Sequence, residues 1–256
     1  MIELDTVSFT YPHQAPVFER FSWSVAQGET WAVLGPSGSG KTTLLYLLAG
    51  LRTPTSGQVR VHGGPLVRPH PQTGLILQDY GLLPWATVRQ NATLGLEIRG
   101  FYGPDGKHAP AAKRDASLGE IDVWLARLGL VGLADKYPAQ LSGGQRQRTA
   151  IARTLALDPS LLLMDEPFAS LDAPTREGLQ ALVAELCRER KLTLVVVTHA
   201  IEEAVLLGEK ILVLGNPPHR EPEIVANPGA AKAAYRETAE YRSFCRQLRR
   251  RLAQGH

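Results

Sequence analysis

Two runs of residues carry chemistry by type and spacing alone. Gly35-Pro36-Ser37-Gly38-Ser39-Gly40-Lys41-Thr42 follows the pattern G-x-x-x-x-G-K-[ST] in full, the pattern of a loop that cradles phosphates. Its glycines let the backbone curl until several N–H groups converge on phosphate oxygens, and a helix starting behind the loop adds partial positive charge. Lys41 can reach β- and γ-phosphates, the Thr42 hydroxyl can ligate Mg²⁺, and Thr43 closes the run of expected nucleotide-binding residues. The second run, Leu161-Leu162-Leu163-Met164-Asp165-Glu166, is an apolar strand ending in two carboxylates. A buried strand delivers Asp165 beside the phosphate loop, where it can hold Mg²⁺ directly or through water. Glu166 then points the other way, placed to polarise a water for in-line attack on a γ-phosphate. The plain alternatives are a Gly/Ser loop that happens to precede a helix, and an acidic pair that caps the next helix. Their joint presence in one chain argues against both.

A phosphate loop needs a strand before it and a helix after it. Thr30–Leu34 is a short apolar run suited to a buried strand, and Lys41–Gly50 is helix-like up to its glycine. Upstream, Ile2/Leu4, Val7/Phe9 and the alternating Phe21/Trp23/Val25 predict strands. Val59/Val61 and Thr73–Leu77 are two further apolar runs. Val88–Leu96, Ile121–Leu130 and Gly144–Leu155 favour helix, and Gly100–Pro110 reads as a loop. Beyond residue 160 strands alternate with helices again: Leu161–Met164, Thr175–Arg190, Leu192–Val197, Ile201–Leu207 and Ile211–Leu214. The expected fold is α/β, a P-loop NTPase core with a largely parallel sheet flanked by helices. An antiparallel β part precedes it and a helical subdomain is inserted over residues 87–155. The cassette is expected to span 1–225, followed by a C-terminal extension over 226–256.

Composition narrows the class without naming it. The chain has 256 residues, 44% hydrophobic and 21% charged, proportions of a globular protein with a real core. Leu44–Leu51, its longest apolar stretch, is far short of the ~20 residues of a membrane span. The acidic, alternating Ile2-Glu3-Leu4-Asp5 after Met1 is not a secretory signal. A net charge of +3 is too small to imply nucleic acid. Cys187 and Cys245 make no C-x-x-C pair and read as free thiols.

Between the two nucleotide motifs stands Leu141-Ser142-Gly143-Gly144-Gln145. Ser142 offers a hydroxyl, Gly143 and Gly144 expose backbone N–H groups, and the following helix favours an anion at its start. With this run the chain resembles the ATP-binding subunits of ABC transporters, whose signature is LSGGQ. The resemblance covers roughly residues 1–215. It implies ATP and Mg²⁺ as cofactors and assigns further residues. Tyr11 matches the aromatic that stacks on adenine. Gln78 matches the glutamine that senses Mg²⁺ and the attacking water. Asp172, in Ser170-Leu171-Asp172, belongs to the loop that crosses the dimer interface, and His199 matches the histidine on the γ-phosphate. Tyr11 and His199 keep ordinary structural alternatives, a half-buried strand tyrosine and a strand-end histidine.

The resemblance also implies a working cycle. Each ATP is held between the phosphate loop of one subunit and Ser142–Gln145 of another, so two subunits pair head to tail with nucleotide between them. ATP favours the closed pair and ADP does not, which is the differential affinity a switch requires. Implied partners are a second ATP-binding subunit (identical or a paralogue), membrane permease subunits docking around Gln78–Arg89, and an extracytoplasmic solute-binding protein, but no nucleic acid. The implied location is the cytoplasmic face of the cell membrane. Leu82, Leu83 and Trp85 in Asp79–Arg89 read as anchors for the permease, with packing inside the helical insertion as the alternative. Leu82-Leu83-Pro84-Trp85, with Glu202-Glu203-Ala204, looks most like the nitrate/sulfonate/taurine importers. Pyrimidine- or thiamine-precursor importers look similar, and an exporter subunit stays open. DNA-repair relatives carry long coiled coils and translation-factor relatives carry two cassettes; neither is seen here. Two departures stand out: Ala200 replaces the Asp that importers commonly carry after the histidine, and the stretch over 100–115 is long and Gly/Pro-rich. Ala230–His256 reads as one helix with an apolar stripe of Tyr241, Phe244, Leu248 and Leu252. Its arginines form a solvated basic face or a membrane-surface contact, and it leaves no room for an added regulatory domain.

Overall fold

The computed structural model describes residues 1–102, 118–230 and 234–254. In chain order the strands and helices begin with β1 (Ile2–Thr10), β2 (Pro16–Val25), β3 (Thr30–Leu34), α1 (Lys41–Leu48), β4 (Ser56–Val61), β5 (Gly64–Pro65) and β6 (Thr73–Ile76). A helical stretch follows, with α2 (Val88–Tyr102), α3 (Leu118–Arg127) and α4 (Gly143–Leu155). The rest is β7 (Leu161–Asp165), α5 (Ala173–Arg190), β8 (Thr193–Thr198), α6 (Ile201–Leu207), β9 (Lys210–Val213), β10 (Glu223–Ala226) and α7 (Ala239–Gln254).

Two sheets result. One has the order β2-β1-β4-β5 with antiparallel pairings; the other has the order β10-β9-β3-β8-β7-β6, parallel except that β10 runs against β9. The parallel strands are apolar along most of their length because both their faces are covered. Their period-2 alternation sorts side chains into two cores. Trp31 and Val33, Leu161 and Leu163, Val195 and Val197, and Leu212 face α1 and the antiparallel sheet. Ala32 and Leu34, Leu162 and Met164, Leu194 and Val196, and Ile211 and Val213 face the other helices. α1 lies between the two sheets with Leu44, Leu45, Leu47 and Leu48 at most 1% exposed. Burying each leucine contributes roughly 1.5–3 kcal/mol. A helix this short is marginal alone, so this packing, rather than helix propensity, holds the residues that start it.

Three expectations are corrected. The C-terminal stretch is not one helix. Asn227 Nδ2 donates to the carbonyls of Val205 and Gly208 (2.7 Å each), and Tyr235 Oη donates to Asn227 Oδ1 at 2.9 Å. This buried network anchors a single 3-10 turn, Tyr235–Glu237. α7 starts only after Thr238, whose Oγ1 accepts from Tyr241 N–H at 3.1 Å, as a helix cap does. The expected stripe does face the core: Tyr241 and Leu248 are buried there, with Phe244 and Leu252 packed against them. Second, β10 adds an antiparallel edge strand over Glu223–Ala226, where no strand was expected. Third, α2 continues through Gly100–Tyr102, where a loop was expected; residues 103–117 of that stretch lie outside the described residues.

Candidate functional site

β3 ends at Leu34, and the chain turns through residues 35–40 into α1, whose first residue is Lys41. Lys41 is 6% exposed, and its ammonium donates to the carbonyls of Gly35 (2.9 Å) and Pro36 (2.8 Å). An ammonium has three donors, so one N–H is left for a phosphate oxygen. Burial pulls the Lys41 pKa down, while the Glu166 and Asp165 charges push it up. Ser39 Oγ is buried without a hydrogen-bond partner. A bound phosphate would satisfy both groups, so the loop fits the triphosphate expected of it.

The alternation of β7 places Asp165 on the α1 side, after Leu161 and Leu163. There its Oδ1 accepts from Thr42 Oγ1 at 3.2 Å. Burial raises the Asp165 pKa, the Thr42 hydrogen bond lowers it, the Glu166 charge raises it and the Lys41 charge lowers it. Thr42, Gln78, Asp165 and Ser170 line a cleft of about 590 Å³. These hard oxygen donors suit Mg²⁺.

Glu166 breaks the alternation. Its φ is +42°, a left-handed conformation that costs a non-glycine residue roughly 1–2 kcal/mol. Its N–H still bonds Val197 O at 2.9 Å, so the turn happens at the sheet edge and swings the carboxylate away from Asp165. Glu166 Oε2 lies 3.1 Å from His199 Nδ1. The His199 side chain is 56% exposed, so the imidazole reaches solvent beside the carboxylate. The loop carrying His199 is itself held: Ala200 N–H donates to Thr198 Oγ1 (3.0 Å), which donates to Glu203 Oε2 (3.0 Å). Glu203 is 4% exposed with its other oxygen unpartnered. Burial pushes its pKa up to about 7 against the Thr198 hydrogen bond.

Ser142–Gln145 stands apart from this cluster. Ser142 Oγ accepts from Gln145 N–H (3.3 Å), and Gln145 Oε1 accepts from Ser142 N–H (2.9 Å), a capping box at the start of α4. A Cβ on Gly144 would fall 2.3 Å from Thr175 Cγ2. Only glycine lets this helix start lie against the start of α5. Asp172 is the cap of α5: its carboxylate accepts from Thr175 N–H at 3.3 Å, and hydrogen bonding to Thr175 holds its pKa down. Between the two regions, Tyr80 Oη is 2.6 Å from Ser170 Oγ, and Arg153 of α4 donates to the Tyr80 and Gly81 carbonyls at 2.7 and 2.6 Å.

Tyr11 sits beside α1 with its hydroxyl 3.1 Å from Thr43 Oγ1, its ring edge-on to Phe9 and the Arg52 guanidinium 5.8 Å from its centroid. Of the expected anchors, only Trp85 stands free, 73% exposed. Leu83 is half-buried and Leu82 packs against the core, because buried Asn91 ties the loop down through Leu83 N–H and the carbonyls of Leu83, Ala86 and Thr87. Sequence reading missed His219, whose Nε2 lies 2.7 Å from the carbonyl of Ser39 in the phosphate loop. The signal available was a histidine after Pro217-Pro218, just beyond the last predicted strand.

A family profile described as ABC transporter matches residues 18–169. Among curated proteins, the taurine import ATP-binding protein TauB of Pseudomonas entomophila is 41% identical over 221 residues, covering 86% of this chain and 81% of that one. An uncharacterized ABC transporter ATP-binding protein, MJ0412 of Methanocaldococcus jannaschii, is 43% identical over 213 residues, 83% of this chain and 76% of its own. Among solved structures, the dimeric bacterial ABC transporter cassette MJ0796 superposes with a TM-score of 0.74 at 30% identity, over 91% of this chain and 100% of that one. The same cassette has been solved as a dimer in a post-hydrolysis state with ADP and Pi, with a TM-score of 0.73 over 91% of this chain and 100% of that one.

Proposed function

The chain belongs to the ABC transporter family, and we propose that it is the ATP-hydrolysing subunit of an importer for a small anionic solute of the taurine, sulfonate or nitrate kind. In this reading Gly35–Thr43 binds the triphosphate and Tyr11 lies beside the base. Thr42, Gln78 and Asp165 would hold Mg²⁺, which when bound neutralises phosphate charge. Glu166 takes the proton of the attacking water, and His199, 3.1 Å from it, reaches the γ-phosphate. Ser142–Gln145, with its capping needs met internally, turns its remaining donors to the nucleotide of a second copy, and Asp172 lies in the loop between the two copies. The dimeric state of the related cassette supports this pairing. The likeness to a taurine import protein supports the choice of solute class.

The observation that carries the transport reading is the presentation of Trp85. A large aromatic stands 73% exposed on a loop fixed by four hydrogen bonds to one buried asparagine. A rigid, exposed aromatic is the kind of anchor that interfaces use. Here it follows Gln78 of the nucleotide cleft by a few residues, so a membrane subunit docked on Gln78–Arg89 would sense the site directly. The complex is then peripheral on the cytoplasmic face, with an extracytoplasmic binding protein delivering solute. Among the described residues no helix is long and apolar enough to cross a membrane, which agrees with separate membrane subunits.

Purification of the tagged protein from its native membrane tests this. A polytopic permease is expected to accompany it, with a binding protein whose ligand names the solute. Trp85→Glu should release the permease and leave the ATPase rate of the isolated subunit unchanged. Co-purifying DNA or ribosomes, or no membrane partner, would overturn the importer.

A further inference from the structure

The phosphate loop is braced from outside by a segment that none of its motifs contains. His219 is 8% exposed. Its N–H donates to Val17 O (3.0 Å) and its carbonyl accepts from Glu19 N–H (2.9 Å). These bonds fasten the residue to β2, and its ring rests on Phe18 with centroids 5.5 Å apart. From there Nε2 reaches Ser39 O at 2.7 Å. A carbonyl can only accept, so the imidazole carries its proton on Nε2.

This contact acts on a loop that needs it. Gly40 has a φ of +90°, and a Cβ there would fall 2.5 Å from Val17 Cγ1. Glycine meets both demands, yet it leaves the backbone more freedom than any other residue. The peptide joining Ser39 to Gly40 is planar and trans, with its C=O and N–H on opposite sides. Pinning the oxygen toward His219 aims the Gly40 N–H the other way, into the loop at the start of α1.

We propose that His219 is a positioning residue for nucleotide binding: by donating to the Ser39 carbonyl it locks the peptide plane from which Gly40 N–H meets phosphate. The proposal rests on the reading of residues 35–43 as the nucleotide loop. Preorganised donors bind without first being ordered, so the effect belongs to affinity for ADP and ATP alike and not to the hydrolytic step.

The test uses the full chain and equilibrium titration with ADP and ATP, beside steady-state ATPase rates. His219→Phe keeps the aromatic volume against Phe18 and removes the donor. It is expected to raise Kd for both nucleotides and KM for ATP about tenfold, leaving kcat at saturating ATP within about twofold. His219→Gln, whose amide nitrogen can occupy the Nε2 position, should restore most of the affinity. Unchanged Kd in His219→Phe, or a loss that His219→Gln does not recover, would overturn the proposal. Lys41→Ala separates the two levels: if it too leaves Kd unchanged, the loop reading fails, whereas a weakened Lys41→Ala beside an unaffected His219→Phe sinks only the proposal. Nitrogen-15 NMR of the unsubstituted protein tests it without a variant. An Nε2-protonated His219 is expected with and without ADP, and a proton on Nδ1 alone would refute the bond.

Discussion

The phosphate loop and the signature loop each begin a helix with glycines and a serine, yet they are built in different ways. Around the phosphate loop, contacts come from all over the chain. Asp165 reaches Thr42, His219 reaches Ser39, and the helix behind the loop packs against the second sheet. Buried Lys41 is held by carbonyls of its own loop, whereas buried Asp165 is held by Thr42, 123 residues away. The signature loop is satisfied by its own four residues through a capping box, with Ser142 exposed, while Leu141 sits in the core and Gly143 and Gly144 lie against Leu171 and Thr175. One region is a finished site whose geometry is fixed by the fold. On the proposed pairing the other is half of a site, finished locally and completed by a second copy.

The sharpest way to separate the two is to remove the proposed base from the finished one. Glu166→Gln should lower ATPase turnover by about a thousandfold, within the range for loss of a general base. ATP should stay bound, and the protein should accumulate as an ATP-bound dimer by size-exclusion chromatography. A near-normal rate would mean that Glu166 is not the base. Gly144→Ala attacks the half-site. With 2.3 Å to Thr175 Cγ2, the added methyl tilts the start of α4, and turnover should fall roughly ten- to a hundredfold with nucleotide Kd of the single subunit unchanged. Thr175→Ser removes the clashing methyl and should recover most of the rate. A raised Kd in Gly144→Ala would break the comparison, because it would tie the two regions together within one copy.

Smaller effects concern stability. Glu203, on the buried side, has its pKa pushed up to about 7 from 4.5. Its folded form binds a proton more tightly than the unfolded chain, so its contribution is fully present below pH 4.5 and is lost as pH rises through about 7. Glu203→Gln should therefore raise Tm at pH 8 by a few degrees and change it little at pH 4.5; equal shifts at both would refute the assignment. The His62–His70 stack (4.3 Å between centroids) works in the opposite sense. Burial lowers both pKa values, and for His62 the neighbouring His70 adds to it. Their contribution is present above the ordinary 6.5 and is lost as pH falls through the lowered values. His70→Asn should make the decline in Tm between pH 7 and 5 shallower by about a degree, and an unaltered slope would show that the stack carries no linkage.

Much of this was legible from residues because local signals agreed with the fold. Thr30–Leu34 and Ile201–Leu207 form as predicted, since apolar runs ended by glycine or by a polar turn leave little choice. The phosphate loop and the acidic strand end were readable for the same reason. β10 was not, because only Val225 of its four residues is buried and an edge strand shows no alternation. The late start of α7 depends on a tyrosine–asparagine network that closes through space. Leu82 read as an exposed anchor, and its burial follows from Asn91, whose side chain folds back on the preceding loop. Nothing in the sequence marks Glu203 as buried: it stands beside Glu202 in the first turn of α6, and only the packing takes it from solvent. His219 lies 180 residues from its partner, a separation at which no sequence pattern operates.

β3 pairs on one side with β8 and on the other with β9, and with nothing earlier in the chain. The strand carrying the phosphate loop is thus made among the first and completed among the last. At synthesis rates of about 5–20 residues per second, Thr30–Leu34 waits roughly ten to thirty seconds before residue 193 follows it out of the ribosome. Through that interval a mostly apolar strand has two open edges, and the leucines of α1 lack one of the sheets that bury them. A nascent chain in this state is a substrate for chaperones and a hazard for neighbouring polysomes. The loop proposed to bind nucleotide therefore gains both strands that flank its own only when about residue 213 has been made. Nucleotide capture by stalled nascent chains of increasing length should switch on only beyond that point.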